Sequence, residues 1–196
     1  MTATHERAMT VPLTAPRHRF TVADYYRMAE TGILSEESRV ELVEGEIVAM
    51  SPMGNSHPYA VSVMVRVFGR LIGDRVLLWP QLPLRLDDYS EPLPDLALVR
   101  SSTYRHAKPG PADTLLVIEV SDSTLSYDRD FKSMLYAAAG IPEYWVIDLN
   151  GGAVLRFSEP AEGKYGSVQS LTQGDRISTR LSGDLEIDVS VEQLLS

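Results

Sequence analysis

The stretch Thr114 to Lys132, TLLVIEVSDSTLSYDRDFK, decides the fold. Its first half is a continuous apolar run, Leu115-Leu116-Val117-Ile118, where a half-exposed strand would alternate. A strand covered on both faces has that signature, so the run is predicted to lie inside a sheet. Glu119 follows where the covered strand emerges, the place at which open α/β sheets set their ligand sites. A polar turn and a helix come next. The helix is expected from about Asp128 to Ala139, with Asp128 as its cap, Phe131, Met134, Leu135 and Ala138 on one face, and Gly140 and Pro142 ending it. Tyr144 to Asp148 reads as a second covered strand. Strand, helix, strand in this order predicts that 144–148 runs parallel to 114–120.

Upstream, Thr21 is placed to cap a short helix through Ala29, with Asp24 three positions on and Gly32 closing it. Residues 40–43 and 47–50 flank Glu44-Gly45-Glu46 and read as a hairpin, whose alternation puts Glu41 and Val43 on one face. Asn55 or Ser56 caps a long amphipathic helix carrying Val61, Val65, Phe68 and Ile72 at helical spacing, with His57 in its first turn and Gly73 at its end. Strands at about 76–86 and 93–99, joined by the polar link 87–92, form a second hairpin. Beyond Gly151 the pattern is of hairpin-like strands, with Val191 to Leu195 a terminal helical turn.

The 196 residues show no compositional break after the first twenty, which fits one domain over residues 20–196 behind a polar, disordered tail at 1–19. There is no Cys, so disulfides, thiolate catalysis and zinc–cysteine sites are excluded. No run approaches the roughly 18 apolar residues of a membrane span, and the N-terminus lacks the apolar core of a signal peptide. A cytoplasmic protein without a membrane partner is expected. The net charge of −9 argues against a generic nucleic-acid coat, although acidic residues gathered at a metal site contribute to that total.

If 93–99 pairs antiparallel with 114–120, Asp95 comes to lie beside Glu119, since neighbouring strands are only ~5 Å apart. Two carboxylates at that spacing repel unless a proton or a cation sits between them, and such hard oxygen ligands suit Mg²⁺, with Mn²⁺ as the alternative. Taken singly, Asp95 also reads as the cap of the turn after Pro94, and Glu119 as a solvated strand end. Arg100, Arg105, His106 and Lys108 make the most basic stretch of the chain.

Pro94-Asp95, then Ile118-Glu119-Val120 after a basic loop, then Asp128 and Lys132 on a helix closed by Gly140-Ile141-Pro142-Glu143-Tyr144-Trp145, resemble the Uma-two family of bacterial restriction-endonuclease-like proteins. That family belongs to the PD-(D/E)XK nuclease superfamily. The resemblance runs from about Phe20 to the C-terminus and takes in Glu41 to Glu46, Met50-Ser51-Pro52 and His57. It implies an α/β fold with a restriction-endonuclease-like core, a central mixed β-sheet flanked by helices, with added hairpins. The implied function is Mg²⁺-dependent hydrolysis of DNA phosphodiester bonds. A catalytically silent nucleic-acid or protein-binding module and a metal-dependent hydrolase of RNA or a small phosphodiester are the alternatives.

Carried over residue by residue, Asp95 and Glu119 would hold the metal with the Val120 carbonyl, and Asp95, Glu119, Lys132 and Glu41 form the catalytic set. Glu41 is preferred to Glu44 because it lies within the strand. His57 is a phosphate or metal contact, or a cap. Arg100, Arg105 and Lys108 are expected to touch the DNA backbone without reading sequence. The chain departs from the superfamily pattern at Ser121, where the motif's lysine would stand. Lys132 is the candidate replacement, the other reading being a boundary lysine whose stem covers the core edge. Cutting both strands of a duplex suggests a homodimer.

Overall fold

The computed structural model describes residues 16–35, 37–52, 54–183 and 185–196. In chain order come α1 (Val22–Glu30), the hairpin β1 (Val40–Val43) and β2 (Glu46–Ala49), α2 (Ser56–Ile72), β3 (Val76–Pro80), β4 (Leu96–Arg100) and β5 (Thr114–Ser121). A π-helical turn (Tyr127–Lys132) then runs into α3 (Ser133–Ala138) and is followed by β6 (Glu143–Asp148), β7 (Ala153–Ala161), β8 (Lys164–Thr172), β9 (Arg176–Ser182), β10 (Leu185–Ser190) and α4 (Val191–Leu195).

The apolar run becomes β5, the third strand in the order β3-β4-β5-β6-β7-β8, and every residue of it is buried. β5 and β6 are parallel, with Val117 opposite Tyr144, while the other neighbours are antiparallel. A parallel pair needs a crossover, and the helical segment between Ser121 and Glu143 supplies it. Alternation sorts the two faces. Leu116, Ile118 and Val120 pack with Met64 and Phe68 of α2 and with Trp145, whereas Val117 packs on the other face with Leu135, Tyr136 and Tyr144. The period of two therefore turns Glu119 toward α3, and Asp95 follows Ala97 and Val99 onto that same face.

Local chemistry holds the remaining elements in place. Thr21 and Asp24 cap α1 reciprocally, each side chain bonding to the other's backbone N–H. The β1–β2 turn takes positive φ at Glu44 (51°) and Gly45 (80°), the primed geometry that suits a two-residue hairpin. A Cβ at Gly45 would lie 2.6 Å from Cβ of Arg19, so only glycine lets the segment before α1 pack there. Of the tail expected at 1–19, residues 1–15 lie outside the described residues. Arg17 pairs with Glu46 at 2.9 Å, and Arg19 Nε donates to the Glu44 carbonyl at 2.8 Å.

Three expectations need correction. The strands expected at 76–86 and 93–99 pair only from Val76 to Pro80 and from Leu96 to Arg100. Pro80, Pro83, Pro92 and Pro94 lack N–H groups for a ladder, and the excursion between the strands is tied by single bonds such as Leu84 N–H to the Pro92 carbonyl at 3.0 Å. Secondly, the helix after β5 buries Lys132, Ser133, Leu135, Tyr136 and Ala137, while Met134 is 47% exposed and Ala138 is also exposed. The π turn is wider than the 3.6-residue period assumed, and it rotates the inward face. Thirdly, Asp128 is not a cap. Helical structure begins at Leu125, and the Asp128 N–H donates to the Thr124 carbonyl at 3.0 Å. Among the described residues no helix is long and apolar enough to cross a membrane.

Candidate active site

The register of β4 against β5 sets Leu96 opposite Ile118, so the next positions outward, Asp95 and Glu119, face each other where β4 begins. Asp95 N–H donates to Glu119 Oε2 at 3.3 Å, and Val120 N–H donates to Asp95 Oδ2 at 2.8 Å. The other Asp95 oxygen, Oδ1, lies 2.8 Å from His57 Nε2 in the first turn of α2, and both side chains are 13% exposed. In an extended strand the N–H and C=O of one residue project to the same side, which turns the Val120 carbonyl toward Asp95 as well.

Glu119 is 3% exposed. Its Oε1 accepts from Lys132 Nζ at 2.9 Å and from the Tyr136 hydroxyl at 3.0 Å. Lys132 Nζ also stands 3.5 Å from Glu41 Oε1, and Glu41 Oε2 accepts from the Leu93 N–H at 3.2 Å. The ammonium expected two residues beyond Glu119 thus comes from the helix instead. Ser121, at that place, is buried with its hydroxyl 3.5 Å from that of Thr124.

The electrostatics follow from burial. Burial pushes Glu119 up to about 8; the Lys132 charge pulls the other way, and Asp95, Asp128 and Glu41 add to the rise. Burial alone would lower Lys132, but the Glu119, Glu41 and Asp128 carboxylates outweigh it and hold the ammonium charged, well above its ordinary range. Burial likewise raises Asp128. The hydrogen bond to Asp95 raises His57 against its own desolvation.

These groups surround a cleft of about 550 Å³ between the β1–β2 hairpin and the end of β5. Its lining includes Arg39 and Glu41 from the hairpin side, His57, Asp95 and Glu119 on the floor, and Tyr127, Asp128 and Lys132 from the helical crossover. Arg39 is exposed at its mouth and makes no ion pair with a described residue. The expected basic contacts lie elsewhere. Arg100 stands at the opposite end of β4 from Asp95, ~17 Å along the strand, and bonds the Ala112 carbonyl at 3.2 Å and Ser182 Oγ at 3.1 Å. Lys108 Nζ is held 2.6 Å from Glu91 and lies 4.3 Å from the centre of the Tyr26 ring. Arg105 is exposed, and neither it nor Arg100 nor Lys108 lines the cleft. The loop leaves from the C-terminal end of β4, whereas Asp95 precedes its N-terminal end.

Sequence reasoning passed over Tyr127 and Tyr136 and gave Asp128 the wrong role. Asp128, Lys132 and Tyr136 recur every fourth residue, and that polar stripe beside an apolar row was the available signal.

The donor set fits a hard divalent cation. A carboxylate offers about four lone-pair sites, and Asp95 and Glu119 use only part of theirs on the bonds given. Four carboxyl groups, Asp95, Glu119, Glu41 and Asp128, face one ammonium and one imidazole, and the proton that burial holds on Glu119 near neutrality is one that a cation would displace. Among the described residues no three His, Asp or Glu side chains stand together as a ready cage. Mg²⁺ does not require one, since it is commonly held by one or two carboxylates with water and substrate phosphate completing its shell.

Residues 22–190 match the profile of the Uma2 family, described as "Putative restriction endonuclease". The fold is similar to that of a crystal structure described as "a putative nuclease belonging to DUF820 from Anabaena variabilis ATCC 29413". The TM-score is 0.69 at 16% sequence identity, covering 90% of this chain and 97% of that one. At that identity the likeness speaks to the fold, which is restriction-endonuclease-like. No curated protein matches the chain.

Proposed function

Because the chain belongs to the Uma2 family, we propose that its cleft hydrolyses DNA phosphodiester bonds with the help of a divalent cation, Mg²⁺ or Mn²⁺. The observation that carries this reading is the ammonium of Lys132, held 2.9 Å from Glu119 on the sheet face that also bears Asp95. It restores the acid, acid and lysine set although Ser121 occupies the motif's own lysine position.

Asp95 and Glu119, with the Val120 carbonyl, would hold the cation. The bound cation would polarise the phosphate and lower the pKa of a water molecule. His57 steadies Asp95 through the Nε2 contact, and Tyr136 steadies Glu119, so both ligands are oriented before substrate arrives. Lys132, fixed between Glu119 and Glu41, presents its remaining N–H donors to the attacking water and to the phosphoryl oxygens as charge grows on them. Hydrolysis places the water's hydroxyl on phosphorus, breaks one P–O ester bond and delivers the water's proton to the leaving oxygen. One site per chain cuts one strand, so cutting a duplex through calls for two chains.

Incubation of supercoiled plasmid with the purified chain tests this directly. Nicking that requires Mg²⁺ or Mn²⁺, stops with chelator and is lost in Asp95→Asn supports the reading. A plasmid left intact under all of these metals would refute it.

A further inference from the structure

Tyr127 opens the π turn, with its ring stacked on Phe131 at a centroid separation of 5.2 Å and the rings 13° from parallel. Among the described residues its hydroxyl is the one buried side-chain polar atom with no hydrogen-bond partner. The neighbouring tyrosines show how unusual that is. Tyr136 donates to Glu119, Tyr144 to the Asp128 carbonyl and Tyr165 to the Ile141 carbonyl. A buried hydroxyl left unpaired costs the fold its desolvation without return, and such groups call for an explanation.

The surroundings supply one. Tyr127 lines the cleft together with Glu41, Glu119, Asp128 and Lys132, and the charges of those four act on its hydroxyl. The π turn that places it there is a rare, locally unfavourable geometry that recurs at functional sites. The same turn brings Lys132 inward, its Nζ 5.7 Å from the centre of the Tyr127 ring. A neutral donor beside an ammonium suits an anion that presents only acceptor oxygens.

Resting on the nuclease reading, we propose that the Tyr127 hydroxyl is a substrate-binding donor, hydrogen-bonding a non-bridging oxygen of the phosphodiester in the cleft. Bound substrate then provides the partner that the free protein lacks. The residue trades stability of the empty protein for affinity toward phosphate.

Tyr127→Phe removes only this oxygen. Its Tm without ligand should rise by about 2–4 °C, the response to losing an unpaired buried polar group in a chain of this size, which also shows that the variant folds. Its affinity for inorganic phosphate, titrated by calorimetry in the presence of Mg²⁺, should fall about tenfold. Equal phosphate affinity in wild type and variant, or a wild type that binds no phosphate, overturns the proposal. The readout does not depend on cleavage. A wild type that cuts no DNA yet binds phosphate more tightly than the variant refutes the nuclease reading and keeps this one. A wild type that cuts DNA while the variant binds phosphate equally well does the reverse.

Discussion

Lys132 Nζ lies 2.9 Å from Glu119 Oε1 although the two residues are 13 positions apart and belong to different elements. Both are buried, so the pair is sensitive to loss of either partner. Lys132→Met should lower the cleavage rate by about 10²-fold or more, the scale of losing one charge-stabilising donor. It should also destabilise the metal-free protein by about 3–5 kcal/mol above about pH 8, where Glu119 is ionised and loses its counter-charge. Single-turnover kinetics and urea denaturation measure the two effects. A variant that cuts at the wild-type rate removes Lys132 from the chemistry.

Removing Asp95 would relieve its repulsion with Glu119, but Asp95 also accepts from the Val120 N–H at 2.8 Å and holds His57 at 2.8 Å. Asp95→Ala should cost about 1–3 kcal/mol of stability by leaving the Val120 amide unpaired, and it should abolish Mg²⁺ binding. Thermal melts with and without Mg²⁺ decide the point. A variant still stabilised by Mg²⁺ would separate Asp95 from the metal.

The His57–Asp95 contact carries a pH signature. The hydrogen bond raises His57 above its ordinary value, so the folded state holds the proton more tightly than the unfolded one. The resulting stability is fully present below about pH 6.5 and is lost as pH rises through the folded value. The stability difference between wild type and His57→Gln should therefore be larger at about pH 5.5 than at about pH 9. A difference independent of pH would show that the contact is not charged.

Burial raises Glu119 to about 8, so near neutrality a proton competes with the cation for it. Mg²⁺ affinity should climb about tenfold per pH unit from about pH 6 and level off past 8, with one proton released on binding. Glu119→Gln should bind weakly at every pH. Calorimetry in buffers of different ionisation enthalpy counts the proton. Zero release would mean that Glu119 is already ionised in the free protein.

Placement of the cationic side chains shifts the expected DNA-binding face from the 100–108 loop to the cleft mouth. Arg39→Ala should weaken duplex binding uniformly across sequences and reduce its salt slope by about one, whereas Arg105→Ala should leave the slope unchanged. Fluorescence anisotropy over a salt series distinguishes the two, and the opposite pattern would return the interface to the loop.

The sheet and the acidic pair were legible because each rests on a strong local signal. Continuous apolar residues mark β5, a positive-φ Glu44-Gly45 turn marks the hairpin, and period-two alternation fixes which way Asp95 and Glu119 face. The inward face of the helical crossover was not legible, because a π turn leaves no mark in a pattern read at 3.6 residues per turn. Met134 was placed inside for that reason, and Tyr136 was missed. The separation of the basic loop from the cleft was not legible, because adjacency in sequence to Asp95's strand says nothing about which end of the strand the loop leaves from. Pro80, Pro83 and Pro94 fall inside the expected strands although proline cannot donate to a ladder, and no local pattern marks where the excursion docks.

Asp95 and Glu119 are proposed to share a divalent cation. Anomalous X-ray scattering from crystals of the full chain soaked in Mn²⁺ tests it without reference to activity. A shared ion gives a peak about 2.0–2.4 Å from one carboxylate oxygen of each residue, with the Val120 carbonyl in the same shell. Crystals that show Mn²⁺ bound elsewhere, with no peak between Asp95 and Glu119, would contradict it.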